Sequence, residues 1–261
     1  MSDPQAAREG QVSRMVQVRA LLGKELRQLR RSKGALLSAT VLPFLVLVLI
    51  PLGQVLGVRG AADGPRLPLG SALPPGLAGL IQDPAQLIVQ VMLPLYITIG
   101  GLIVPSVSAT HTVITEREKR SLELLMALPV SLQDILLAKL LGTLVLALVV
   151  VVPLFVVDAV VLLTVGAVSP GYLALLFIVL LAALACSIGV ALLLALLARD
   201  FRTANNLNGA LIGPLILLAL AILFGVPGLQ RLVVLVAVLL AAGAGAFLVG
   251  ARWLTFERYL A

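Results

Sequence analysis

A chain of 261 residues that is 61% apolar and only 12% charged cannot clothe a water-soluble surface, because ordinary soluble domains carry roughly half apolar and a quarter charged residues. With a mean hydropathy of +1.14, the surplus apolar surface must meet lipid, which excludes a soluble enzyme or soluble binding module. The net charge of +7 does not point to nucleic acid, because the basic residues flank apolar runs, where they set membrane orientation. The single cysteine, Cys186, excludes an intrachain disulfide, and with only one histidine in the chain a metal cluster is implausible.

The first 34 residues hold eight Lys or Arg. Within them Met15, Val18, Leu22, Leu26 and Leu29 recur at spacings of three and four, with Arg19, Lys24, Arg27, Arg30 and Arg31 on the other faces. That pattern predicts a basic amphipathic helix lying along the inner leaflet. The apolar run that begins near Ala35 is too long for the apolar region of a signal peptide, so it reads as a true first span. A bilayer core of roughly 30 Å needs about 20 helical residues, and runs of that order occur six times: 35–57, 86–108, 135–165, 172–198, 207–225 and 229–250. None shows the alternation of a membrane barrel, and backbone groups in lipid must pair within their own segment, so all six are expected to be helices. The expected fold is therefore all-α and integral to the membrane. It comprises a cytoplasmic N-terminus over 1–34, a six-span domain over 35–250 and a cytoplasmic tail over 251–261. The connection from Val58 to Pro84 is rich in Gly and Pro and is expected to be irregular. The other connections on its side are short, which leaves no room for a large extracellular domain.

Lys and Arg divide sixteen to three between the two sides that six spans define. Only Arg59, Arg66 and Arg231 fall on the side away from the termini. The bias places both termini in the cytoplasm of a cell (plasma) membrane.

The segment between spans two and three is the most unusual. Thr115-Glu116-Arg117-Glu118-Lys119-Arg120-Ser121-Leu122-Glu123 opens with dense charge, and Leu122, Leu125 and Met126 then share one side of a short helix that Pro129 ends. Ser131 and Asp134 form a capping pattern that restarts the chain as span three. A charged amphipathic helix held between two spans is a suitable lever. This stretch, with Glu116-Arg117-Glu118, Leu122-Glu123-Leu124-Leu125, Pro129-Val130-Ser131 and Lys139, resembles the signature of the ABC type-2 transporter permeases. Arg120-Ser121 stands where that family usually has Gly-Thr. The resemblance implies a membrane subunit of an exporter, with a cytoplasmic coupling helix between spans two and three and an elbow helix before span one. It further implies a separate ATP-binding-cassette ATPase subunit that binds the ATP and Mg, and a second permease copy or homologous permease. Glu116, Arg117, Glu118, Leu122, Glu123, Leu125 and Met126 would then form the ATPase-coupling surface.

This chain has no phosphate loop of its own. Its Gly23-Lys24 lacks both the upstream glycine, where Val18 stands, and the following hydroxyl, where Glu25 stands. No catalytic residue, resident cofactor or metal site is expected, and an intramembrane enzyme is disfavoured by the lack of a nucleophile–base pair. A secondary carrier is disfavoured by the lack of internal repeats and of paired intramembrane charges, whereas a membrane anchor for a cytoplasmic partner would also fit the charged segment. Polar residues and helix breakers concentrate in spans two and five, and such groups are costly unless they face protein or water. With the family's use of these spans, they make Gln90, Tyr96, Thr98, Ser106, Asn205 and Asn208 the candidates for lining a translocation path. Small residues in span six, Gly243, Gly245 and Gly250, suit helix packing. Asp158 is the sole acid inside an apolar run and is expected near the outer interface with water in reach. His111 has no partners at metal spacing and reads as structural. The mostly uncharged path candidates lean toward apolar or amphiphilic cargo.

Overall fold

The computed structural model describes residues 40–60, 84–118, 132–197 and 201–253. The expected amphipathic N-terminal helix, most of the outer connection, segment 119–131 and the C-terminal tail lie outside the described residues. Six long helices account for nearly all of the rest. Helix α1 (residues 40–60) contains a π-helical turn at Leu45–Leu49 and continues as Ile50–Gly60. Helix α2 (residues 84–118) runs as Pro84–Leu87, a π-helical turn at Ile88–Met92, and Leu93–Glu118. Helices α3 to α6 cover Leu132–Thr164, Pro170–Leu197, Phe201–Gly225 and Gln230–Trp253. No strand occurs among the described residues.

Five of these helices are long and apolar enough to cross a membrane: Thr40–Gly57 in α1, Leu141–Thr164 in α3, Pro170–Ala191 in α4, Asn206–Gly225 in α5 and Gln230–Val249 in α6. In α2 an apolar stretch runs over Ile88–Ile103, and the helix as a whole is longer than the ~20 residues a bilayer requires.

Both π-helical turns stand two residues ahead of a proline, Pro51 in α1 and Pro94 in α2. Proline has no N–H, and its ring crowds the carbonyl four residues earlier. Widening the turn by one residue relieves that clash without breaking the helix. In α2 the Leu93 amide donates to the Ile88 carbonyl. The next residue is Pro94, so the Val89 carbonyl is left without a backbone donor, a position that becomes important below. Pro105, Pro153 and Pro214 sit inside their helices as well.

Helix α4 is the centre of the bundle. Of its apolar window 61% is enclosed by protein, against 22–28% for the windows of α1, α3, α5 and α6. Leu176, Val179, Leu180, Ala183 and Cys186 are fully buried. On one side α4 meets α6 at backbone distance: a Cβ added at Gly243 would lie 2.7 Å from the Cys186 Cα, and one added at Gly189 would run into the Gly243 carbonyl. On another side it meets α2, where a Cβ on Gly101 would lie 2.7 Å from that of Ala183, and the Ser187 hydroxyl donates to the Leu102 carbonyl at 2.6 Å. Helix α3 packs on α4 through Phe155 and Phe177, whose ring centroids are 5.5 Å apart. In lipid, helices gain little by hiding apolar surface from one another, so close packing over small residues and interhelical hydrogen bonds hold them together. Of the glycines expected to pack, Gly243 does so, whereas Gly245 faces open space.

The α3–α4 and α5–α6 connections are short and glycine-hinged. Helix α3 ends in a Schellman arrangement in which Ala167 donates to the Leu162 carbonyl and Gly166 to that of Leu163, both at 2.9 Å. Gly166 takes φ +64° there, the left-handed conformation such a cap requires. The Ser169 hydroxyl then accepts the Tyr172 amide at 3.3 Å and starts α4. Gly228, at φ +65°, makes the corresponding reversal between α5 and α6.

A branched side chain at Gly243 should force α4 and α6 apart. Gly243→Val is expected to cost about 1–3 kcal/mol by overpacking and to lower the unfolding midpoint in detergent, with Gly245→Ala matching wild type. Equal midpoints for Gly243→Val and wild type would contradict the backbone-level contact.

Candidate functional site

Two regions gather several polar groups each, one at each end of the bundle. At the end where α2 stops and α3 starts, charged residues lie within the helices themselves: α2 runs unbroken to Glu118, and α3 begins at Leu132 with Asp134 and Lys139 in its opening turns. The expected coupling residues Glu116, Arg117 and Glu118 form the final turn of α2, so the charge run opens as a direct extension of a spanning helix. Leu122, Glu123, Leu125 and Met126 lie outside the described residues.

At the opposite end, the start of α2, the α3–α4 turn and the α5–α6 turn enclose a cleft of about 410 Å³. Three of its walls meet at the π-helical turn of α2. The Tyr172 hydroxyl, from the first turns of α4, donates to the Val89 carbonyl at 2.8 Å. That carbonyl is the one deprived of a backbone donor by Pro94. Arg231, at the start of α6, reaches across to the same turn. Its Nη2 donates to Gln90 Oε1 at 2.7 Å and its Nε to the Gly228 carbonyl at 2.7 Å, while Nη1 stands 3.5 Å from the carbonyls of Gln90 and Leu223. The sequence alone marked Gln90 as a polar residue in span two and counted Arg231 only as an outer cation. The signal that joins them is Pro94, four residues beyond Gln90.

The remaining path candidates are dispersed. The Tyr96 hydroxyl accepts from Gln54 Nε2 of α1 at 2.8 Å, and both residues are partly exposed. Thr98 and Ser106 are fully buried, and their hydroxyls donate within α2, to the carbonyls of Pro94 at 2.8 Å and Ile103 at 2.9 Å. Asn208 on α5 is 9% exposed, and its Oδ1 has no hydrogen-bond partner among the described residues. Asn205 opens α5 as part of the same helix. Gln90, Tyr96, Thr98 and Ser106 thus share α2 without sharing a face open to water. Asp158 stands six residues before the end of α3, toward the α3–α4 turn, but it is only 2% exposed and so lacks the expected access to water. Its Oδ1 likewise finds no partner among the described residues.

Helices that enclose one another over small residues, with five apolar windows of spanning length, define a multi-pass α-helical membrane protein. A family model described as ABC-2 type transporter matches residues 16–223, which include all of α2 to α4 and the charged segment between α2 and α3. The chain belongs to the ABC-2 type transporter family and is a transmembrane permease. Comparison with curated proteins and with solved structures finds no match.

The Tyr172–Val89 bond gives a direct check of this cleft. Tyr172→Phe leaves a carbonyl unpaired where water is scarce and is expected to cost about 1–3 kcal/mol. The readout is a lowered unfolding midpoint in detergent, and an unchanged midpoint would contradict the pairing.

Proposed function

We propose that this permease is the membrane subunit of an ATP-driven exporter in the cell membrane, with both termini cytoplasmic. A separate ATP-binding-cassette subunit binds and hydrolyses ATP with Mg and docks on segment 116–126. Three observations support this reading. The chain belongs to a family of ABC transporters. Its Lys and Arg lie sixteen to three toward the end that carries the charged segment, the bias that marks a cytoplasmic face. The single most telling one is that α2 runs as helix to Glu118 and α3 starts at Leu132, so that helix leads directly into and out of that segment. A push on a short helix joined to two such helices tilts both together, because a helix transmits bending along its hydrogen-bonded length better than a loop does.

The proposed working unit is a pair, either two copies or this chain with a homologous permease. The interior of one bundle is occupied by α4, whose core-facing residues are fully buried, so a path through a single copy would require α4 to leave. A path between two copies requires only that faces now turned to lipid meet. Helix α5 offers such a face, since Asn206, Gly209 and Pro214 are exposed. Helix α1 offers another next to the Gln54–Tyr96 pair. On this reading Gln90, Tyr96, Asn205 and Asn208 border the path, while Thr98 and Ser106 join it only in a conformation that opens α2. The cargo class suggested by these mostly uncharged groups is apolar or amphiphilic.

Coupling is tested by Glu123→Lys in the complex of this chain with its ATPase, reconstituted in vesicles. ATP hydrolysis is expected to continue while ATP-dependent movement of cargo falls by about tenfold or more, the loss that about 1.4 kcal/mol of coupling free energy represents. Transport and hydrolysis that stay in their wild-type ratio would overturn the assignment of the lever.

A further inference from the structure

Arg231 is held where a guanidinium is costly and only partly compensated. It is half-buried, and no carboxylate lines the cleft among its described residues. Its partners are carbonyl oxygens and the Gln90 amide oxygen, all neutral. A guanidinium carries five N–H donors. Two of them make short bonds, and Nη1 has only contacts at 3.5 Å, beyond the usual range for N–H···O bonds. The contacts therefore orient the guanidinium and leave donor capacity and the whole positive charge available to the cleft. An arginine that merely sat at a membrane edge would extend its side chain toward headgroups. This one is turned inward and pinned across α2 instead.

The rest of the cleft narrows the class of ligand. Its walls include Val89, Leu223 and Phe224, with the Tyr172 hydroxyl already committed to Val89. Leu229, 58% exposed beside Arg231, carries the apolar wall out to the exterior of the bundle. A volume of about 410 Å³ lies toward the small end of ligand pockets, which run ~300–1,000 Å³. It suits a headgroup, with any long tail lying outside against the helices. We propose that this cleft binds the anionic headgroup of an amphiphile, a phosphate or carboxylate on an apolar tail, with Arg231 as the cation that receives it. Guanidinium geometry matches both anions with paired, charge-assisted bonds. Gln90 and Gly228 act as positioning groups. Gly228 does so through its left-handed backbone, which aims its carbonyl at Nε. The site stands on the chemistry of the cleft and does not depend on the exporter reading.

The test uses the full chain purified in an uncharged detergent, with radiolabelled dodecyl phosphate as the probe. In the wild type, unlabelled dodecyl phosphate should displace the probe while uncharged dodecanol should not. Arg231→Gln should weaken binding about tenfold or more, as loss of a charge-assisted pair does, and Arg231→Lys should fall between that variant and wild type, keeping the charge and losing the paired geometry. The wild-type competition stands even if a variant fails to fold. A parallel arm measures phosphatidylglycerol carried through purification from vesicles containing it. Retention in wild type and loss in Arg231→Gln identifies a bilayer lipid as the source of the headgroup. Dodecyl phosphate binding with no retained lipid identifies a diffusing anionic amphiphile. Displacement by dodecanol as effective as by dodecyl phosphate, or wild-type affinity in Arg231→Gln, would overturn the proposal.

Discussion

The arrangement depends on the approach of α4 to α6 at Gly189 and Gly243, where backbone meets backbone without an intervening side chain. In water such helices could be driven together by their apolar surfaces, but in lipid that drive is largely absent and shape decides. The absence of two Cβ atoms lets dispersion contacts run the length of the crossing. It also brings Cys186 and Ala183 into range of α6 and α2 respectively. Once α4 is seated, α2 is fixed against it by Gly101 and by the Ser187–Leu102 bond. The α3–α4 and α5–α6 turns then fall beside the start of α2, and the cleft is a consequence of that seating. Every polar contact at that end presupposes the glycine crossing deeper in the bundle.

A second constraint is placed by proline. Pro94 removes one amide from α2, the helix answers with a π-helical turn, and the carbonyl of Val89 is left to be paired from elsewhere. In lipid an unpaired carbonyl is expensive, so tyrosine from α4 is recruited, and arginine from α6 takes further oxygens of the same turn. One backbone defect thus ties three helices together. The repetition of the device in α1, with Leu45–Leu49 ahead of Pro51, puts Leu47 against α2, where it fills the space left by Gly100. The same local chemistry serves packing in α1 and builds a polar site in α2.

Much of this was legible in the sequence, for identifiable reasons. Apolar runs of membrane length give helices because the bilayer admits little else, and the charged segment with its Pro-Val-Ser ending pointed to the family that the comparison then showed. Which helix lies in the middle was not legible. The apolar windows of α3 and α4 are about equally hydrophobic, yet 28% of the first and 61% of the second is enclosed. Lipid and protein interior select the same side chains, so hydropathy cannot separate them. The small residues of α4, from Ala182 to Gly189, carried that information as a packing face. Polar residues were read as a path, yet Thr98 and Ser106 are paired within their own helix, because a hydroxyl in a helix can be satisfied locally. The Gln90–Arg231 pair joins residues 141 positions apart. Only the seating of α6 on α4 brings them together.

The enclosure of α4 is open to one decisive measurement, because the chain has a single cysteine and that cysteine lies on the buried face. A membrane-permeant organomercurial should leave Cys186 unmodified in the folded protein. It should modify a cysteine placed one residue earlier, at the lipid-exposed Ala185 in a Cys186→Ala background, at the same depth in the bilayer. Equal reaction rates at the two positions would show that α4 faces lipid on both sides and would contradict the account.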